Sequence, residues 1–87
     1  MNTQFALMAR FESPTVHLKE ICEEFFGIKP KTAEQKAKAQ SLPVPVFKLV
    51  DSERAPTLVN VSDLAKHIDT QRALAAKDWE LIQQASQ

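Results

Sequence analysis

The stretch "GIKPKTAEQKAKAQSLPVPVFKL", from Gly27 to Leu49, decides how the whole chain is interpreted. It contains the only glycine of the protein, then a short segment of good helix formers, then two closely spaced prolines before a β-branched run. From Ile28 to Val50 five lysines accompany one acidic residue, Glu34, although the formal net charge of the chain is zero. This segment is therefore either a solvated helix face or a surface for an anionic partner.

A helix is predicted immediately before this stretch. Its apolar residues recur at the i, i+3, i+4, i+7, i+8 spacing of a helix that buries one face: Leu18, Ile21, Cys22, Phe25 and Phe26. His17 and Glu20 occupy the two positions of a capping box at its start, although His is a weaker cap than Ser or Thr. Gly27 follows the last aromatic residue, where a helix commonly ends in a left-handed conformation.

A second helix is predicted from Pro30, because proline fits the first turn of a helix. "SLPVP" ends it. On a helical wheel Ala33 and Ala37 share the inner side, while Lys31, Gln35 and Lys38 project almost opposite. Two helices joined by a short turn that contains glycine are typical of a helix-turn-helix, here at about residues 18–41.

The hydrophobic period then changes to that of a β-strand. "VFKLV" and "TLVNV" alternate and are separated by "DSERAP", which predicts a hairpin at about residues 44–61 with Arg54 near its tip. The fold class is therefore mostly α with a small β-hairpin, a winged helix-turn-helix, preceded by a short helix that Thr3 caps and that ends near Phe11. A strand is the alternative for that first segment.

A long C-terminal helix is predicted at about residues 63–85, with Ser62 as its cap and Asp63 at its positive end. Its distal half carries large apolar residues that are too far along the chain to serve only a small core. We expect them to form a dimer interface: Leu74, Trp79, Leu81 and Ile82. The alternative is that the helix folds back and Trp79 covers its own domain.

Composition limits the function classes. At 87 residues the chain is a single domain, residues 1–87, with 44% hydrophobic residues and neither a secretory signal nor a stretch of roughly 18 apolar residues that could span a membrane. The pattern of Cys22, His17 and His67 matches no metal-binding spacing, Cys22 lies on the apolar helix face, and one glycine cannot form a phosphate loop. We therefore expect that the protein is not an enzyme and that it has no cofactor, no metal and no membrane partner. We expect it to be cytoplasmic and associated with the nucleoid.

The segment also carries a resemblance. Gly27-Ile28, Thr32 and Leu42-Pro43 resemble the DNA-binding unit of MerR-like and excisionase-like proteins, from which the chain departs at Lys29, where a Ser or Thr cap is usual, and at Gln40, where glycine is frequent. The phrases "FALMARFE", "EICEEFFGI", "AEQKAKAQSLPVPVFKL" and "SERAPTLVNVSDLAKHIDTQRA" together resemble the pyocin activator protein (PrtN-type) family over nearly the whole length.

The resemblance implies a small transcription activator that binds promoter DNA and switches on phage-tail-like bacteriocin (pyocin) or prophage genes. In a recognition helix the N-terminal residues reach base edges, which here are Lys31, Glu34 and Gln35. The remaining cations would contact the DNA backbone, from the helix and from the wing: Lys29, Lys36, Lys38, Lys48 and Arg54. A dimer would then read repeated half-sites in double-stranded DNA.

Several alternatives stay open from the residues alone. One is an excisionase-like architectural protein that bends DNA and assists a recombinase. Another is a DNA-independent adaptor whose lysine helix binds an acidic protein. Arg54 lies beside Asp51 and Glu53, so a local ion pair competes with a DNA contact. RNA polymerase is a further expected partner. Its contact would be an acidic surface formed by Glu20, Glu23 and Glu24, and the alternative is that this surface is only a solvated helix face.

Overall fold

A computed structural model describes residues 2–86 and shows a mostly helical chain with one small sheet. The elements in chain order are α1 (Thr3–Phe11), β1 (Thr15–His17), α2 (Leu18–Phe26), α3 (Pro30–Lys38), β2 (Leu58–Asn60) and α4 (Val61–Ala85). α1 packs mainly on α4, and α2 packs mainly on α3. The helical interpretation of the first segment is confirmed, and so are the predicted starts of α2 and α3.

The core lies where α2, the sheet and the first turns of α4 meet. The largest side chains with less than 2% exposure come from these three elements: Leu18, Ile21, Cys22, Val59, Val61 and Leu64. The apolar stripe predicted for α2 is thus the main wall of the core, flanked by the half-buried Phe25 and Phe26. Cys22 is a buried free cysteine, as its position on that stripe predicted.

The predicted hairpin is wrong in its strand pairing. β2 pairs antiparallel with β1, in the register Thr15↔Asn60, Val16↔Val59 and His17↔Leu58. Of the expected partner strand at 46–50, only Phe47 forms a bridge, exchanging two backbone hydrogen bonds with Leu58 at 3.0 and 2.7 Å.

Burial explains why β2 pairs with β1. Val16 and Val59 face each other in the register and are both buried, so this pairing removes apolar surface from water. Leu49 and Val50 are 79% and 61% exposed in the loop, where no core lies beneath them. A strand there would add backbone hydrogen bonds without burying a face, and the chain turns instead.

Two helix caps differ from the predicted ones. Asn2, not Thr3, caps α1, because its side-chain oxygen accepts from the Phe5 N–H at 2.8 Å. Asn60, not Ser62, caps α4 and accepts from the Ser62 N–H at 2.9 Å. In both places asparagine precedes the predicted cap, and the helix begins earlier than the hydroxyl suggested.

Two left-handed residues end the two central helices. Gly27 has φ 67° after α2, as predicted, and its N–H donates to the Glu23 carbonyl at 3.2 Å. The prediction of a capping box at the start of α2 is wrong, since the His17 side chain forms no capping hydrogen bond. After α3, Gln40 has φ 53°, at the position where glycine is frequent in the resembling proteins. A non-glycine residue in this conformation is strained.

The distal part of α4 projects from the body. Every residue from Asp69 to Ser86 is exposed, and Trp79 is 63% exposed. The radius of gyration is 15.6 Å, against about 12 Å for a compact chain of this length. The alternative in which the helix folds back and Trp79 covers its own domain is therefore wrong. No helix among residues 2–86 is long and apolar enough to cross a bilayer.

We predict that Gln40→Gly stabilises the protein. Glycine removes the left-handed strain, which costs about 1–2 kcal/mol. Part of this gain is offset because glycine gives the unfolded chain more conformational entropy, so the free energy of unfolding should rise by about 0.5–1 kcal/mol. Ala39→Gly is the matched control, because Ala39 has φ −83° and should lose about 0.5–1 kcal/mol. Urea denaturation of both variants measures this, and destabilisation by Gln40→Gly would contradict it.

Candidate nucleic-acid interface

The inner face of α3 holds the helix against the core. Ala33 is fully buried, and Ala37 is half-buried against the core cluster. Their small side chains allow α3 to approach α2 closely, as the helical wheel predicted. Since this inner face is occupied, the opposite face of α3 is turned to solvent.

The exposed surface of α3 and of its N-cap residue is cationic, and we call it the lysine face. Three of its members lie opposite Ala33 and Ala37, namely Lys31, Gln35 and Lys38, whereas Lys36 lies on the flank beside Phe25 and Phe26 and Lys29 is the N-cap residue. Within residues 2–86 no carboxylate lies within 4.0 Å of any of these four ammonium groups. The structure therefore places five of the eight predicted DNA contacts, exposed, on α3 and its N-cap residue.

Glu34 differs from the other predicted contacts on α3. It is half-buried, and its Oε2 accepts a hydrogen bond at 3.0 Å from the Thr57 hydroxyl. Thr57 is only 5% exposed and immediately precedes β2. This bond ties α3 to the start of β2, so Glu34 has a positioning role that sequence reasoning missed. The only sequence signal for this role was the threonine that precedes the strand. The contact of Glu34 with DNA stays a prediction.

The two predicted contacts of the wing lie in the loop between Phe47 and Leu58. Lys48 lines a small cleft together with Lys38 of α3, and its Nζ donates to the Ser52 carbonyl at 3.3 Å. Arg54 is exposed, and its backbone N–H donates to the Ser52 hydroxyl at 3.2 Å. In the described part of the chain no carboxylate of its acidic neighbours lies within 4.0 Å of the Arg54 guanidinium, and the contact of Arg54 with DNA stays a prediction.

One member of the acidic surface is engaged within the fold. Arg10 of α1 donates from both terminal nitrogens to the two carboxylate oxygens of Glu24, and its guanidinium lies 5.0 and 5.4 Å from the ring centroids of Phe11 and Phe25. The hydrogen bonds from Arg10 lower the pKa of Glu24 below its ordinary value of 4.5. The carboxylates of Glu20 and Glu23 are exposed, and their contact with polymerase stays a prediction.

The soft side chains do not form a second site. His67 is half-buried, and its ring centroid lies 6.0 Å from that of Phe26. His17 has its Nδ1 3.9 Å from a Glu20 oxygen. Over residues 2–86 no three His, Cys, Asp or Glu side chains lie together so that they could hold a metal ion.

Comparison with known protein families gives a match. The model of the family described as "Pyocin activator protein PrtN" matches residues 3–75, which is most of the chain and includes the whole lysine face. No curated protein and no solved structure matches the chain.

We predict that Glu34→Ala destabilises the fold more than Thr57→Val. The first variant leaves the buried Thr57 hydroxyl without a partner, which costs about 1–3 kcal/mol. The second removes the hydroxyl with little change in shape, while the half-buried carboxylate remains accessible to water. Thermal unfolding of both single variants and of the double variant measures the difference. Equal losses in the two single variants would contradict the assigned role of this bond.

The Arg10–Glu24 pair predicts a pH dependence of stability. Because the pKa of Glu24 is lowered in the folded state, the pair stabilises the fold above pH 4.5, and this contribution disappears as the pH falls through the folded-state pKa. Glu24→Gln should therefore be less stable than the parent at pH 7 and equal to it at strongly acidic pH. An unchanged difference between the two proteins, measured by urea denaturation across that range, would contradict the assignment.

Proposed function

The chain belongs to the pyocin activator protein family, and from that premise we propose that it activates transcription of pyocin or related prophage genes by binding double-stranded DNA at their promoters through α3. The family is one of regulatory activators and not a class of enzymes. The observation that carries the proposal is the lysine face, whose four exposed ammonium groups have no carboxylate within 4.0 Å among the residues that the structure describes.

The dimensions and chemistry of the lysine face suit the major groove. That groove is about 12 Å wide and admits one α-helix. Gln35 can form two hydrogen bonds with adenine, and Lys31 can donate to guanine, so the two exposed positions near the middle and start of α3 supply base recognition. Lys36 and Lys38, which are further along the helix, supply phosphate contacts that fix its register.

The start of α3 offers a further backbone contact. Lys29 is the N-cap residue of α3, and its side chain forms no capping hydrogen bond. The amide N–H groups of the first helical turn then lack a side-chain acceptor, while the ammonium group of Lys29 is exposed beside them. A DNA phosphate at this end would accept from both, which gives a reason for lysine where Ser or Thr is usual.

The loop between Phe47 and Leu58 would extend the contact beyond α3. The Phe47–Leu58 bridge anchors its base, and the Glu34–Thr57 bond fixes α3 relative to that base. Lys48 lies beside Lys38 at the same cleft, so a phosphate next to the groove can meet both residues. Arg54, which is exposed in the same loop, would reach the neighbouring backbone. In this proposal the loop acts as a wing without being a regular hairpin.

One observation favours a second candidate function, an architectural protein that bends DNA. Leu49 and Val50 are 79% and 61% exposed beside Lys48, in a loop proposed to lie against the duplex. Architectural proteins insert apolar side chains of this kind between base steps and kink the DNA. Activation by the pyocin activator family and bending are compatible, since a bend can bring promoter elements together.

The proposal predicts that Lys31→Ala/Gln35→Ala loses sequence preference. Selection of bound duplexes from a randomised library should enrich a motif with the parent protein, and the double variant should lose about 1–3 kcal/mol of discrimination at each base that it no longer contacts. The matched control is Lys66→Ala, an exposed lysine of α4 away from the lysine face. It should enrich the parent's motif. Binding should also weaken steeply as salt is raised, because phosphate contacts release counterions.

Two outcomes would contradict the proposal at different levels. Equal retention of all duplexes by parent and double variant would show backbone binding alone and favour the architectural function. Absence of any salt-dependent retention would remove DNA as the partner and leave the adaptor alternative, in which the lysine face binds an acidic protein.

A further inference from the structure

Thr57 lies at the junction of three parts of the fold. Its backbone carbonyl accepts a hydrogen bond at 2.8 Å from the N–H of Leu18, the first residue of α2. The next residue, Leu58, begins β2 and forms the bridge to Phe47 at the base of the loop. The side chain of Thr57 is 5% exposed and donates to Glu34 of α3 at 3.0 Å. One buried residue thus joins the start of α2, the base of the loop and α3.

The hydrogen bond from Thr57 links α3 to the base of the loop. Among residues 2–86 no other hydrogen bond joins α3 to the segment 47–58. The backbone of Thr57 is held by the bond from Leu18 and by the adjacent bridge, so Thr57 is a fixed point to which Glu34 attaches α3. The buried Ala33 fixes the distance of α3 from α2, and this second attachment fixes the rotation of the helix.

Glu34 lies at the border between the buried side of α3 and its exposed side. On the helical wheel it falls between Ala37, which packs against the core, and Lys38 of the lysine face. Its Oε2 accepts from the hydroxyl of the buried Thr57, whereas a carboxylate that accepts from a cytosine amino group must reach the open side of the helix. The position and the bond of Glu34 therefore favour a role within the fold over contact with a base.

The cleft beside this bond holds one cation from each of the two parts that the bond joins. Lys38 of α3 and Lys48 of the loop line it together with Glu34 and Thr57. Among the residues that the structure describes, no carboxylate lies within 4.0 Å of either ammonium group. The separation of these two cations depends on the angle between α3 and the base of the loop, which the bond holds.

We infer that the Glu34–Thr57 bond is a positioning element for DNA recognition and that Glu34 reads no base. The inference rests on the proposed function. The bond sets the spacing at which α3 and the loop contact one duplex together. Without it α3 can rotate on its contact with α2, and binding must order α3 and the loop relative to each other, which costs affinity. The base contacts of α3 and the phosphate contact of Lys48 therefore depend on each other.

Two variants separate the hydrogen bond of Glu34 from its charge. Glu34→Gln removes the charge and keeps an acceptor for the Thr57 hydroxyl, whereas Thr57→Val removes the bond and keeps the charge. Glu34→Gln should select the same motif as the parent from a randomised library of duplexes. If Glu34 contacts a base, the preference at one position should instead change from cytosine to adenine, the base that Gln pairs with. That result would overturn the inference.

The salt dependence of binding measures the effect of the bond on the loop contact. In Thr57→Val the slope of log binding constant against log salt concentration should fall in magnitude by about 0.9 for each phosphate contact that the loop loses. Thr57→Ser keeps the hydroxyl and should retain the parent's slope. All proteins are compared below their unfolding transitions, where a purely structural role would leave the slope unchanged. A parent-like slope in Thr57→Val would therefore contradict the positioning role.

A double-mutant cycle measures the coupling between the loop and α3. Lys48→Ala should weaken binding to the selected duplex by about 5-fold in the parent and by less than about 2-fold in Thr57→Val, where the loop contact is already lost. Lys66→Ala is the control, because this exposed lysine of α4 should have the same effect in both backgrounds. Equal effects of Lys48→Ala in the two backgrounds would show that the loop and α3 act independently and would sink the inference.

The inference and the proposed function fail in different ways. A parent protein that binds no duplex with salt dependence overturns both. A parent that selects a motif, together with a Thr57→Val variant that matches it in slope and in its response to Lys48→Ala, overturns only the positioning role and leaves DNA binding by α3 in place.

Discussion

The close packing of α3 on α2 through Ala33 is the constraint on which the rest of the structure depends. Ala33 is fully buried, so α3 can lie against the core only while this side chain stays small. That contact turns the lysine face outward and brings Glu34 within hydrogen-bond distance of Thr57. A larger residue at position 33 would lift α3, break that bond and misdirect the proposed DNA contacts of α3 together.

Local chemistry made the central helices predictable. The apolar spacing from Leu18 to Phe26, the left-handed Gly27 and Pro30 in the first turn of α3 are decided by neighbours along the chain, and all three appear in the structure. The sheet was not predictable in this way. β1 has three residues, and its pairing with β2 depends on contacts between residues more than 40 positions apart. The caps Asn2 and Asn60 were missed because a hydroxyl residue followed each of them at close range.

In the candidate site, too, features set by neighbours along the chain were predictable and features set by tertiary contacts were not. The lysine face follows from helical periodicity, so its exposed members were named from the sequence. The inward turn of Glu34 follows from the buried position of Thr57, which the sequence alone does not reveal. Likewise, the apolar character of the distal α4 was visible in the sequence, whereas its projection from the body, which leaves Leu74, Trp79, Leu81 and Ile82 exposed, required the fold. Surface chemistry was thus easier to predict than the contacts that orient it.

The central claim is that the lysine face of α3 is where duplex DNA binds. Amide chemical shifts of the full chain, followed by NMR during titration with a duplex selected by the protein, test it most directly. The account predicts the largest changes at Lys31, Gln35 and Lys38, smaller ones around Lys48 and Arg54, and none that centre on residues 76–86. Changes that centre on the acidic residues of α2 or on the distal α4, with α3 unaffected, would contradict it.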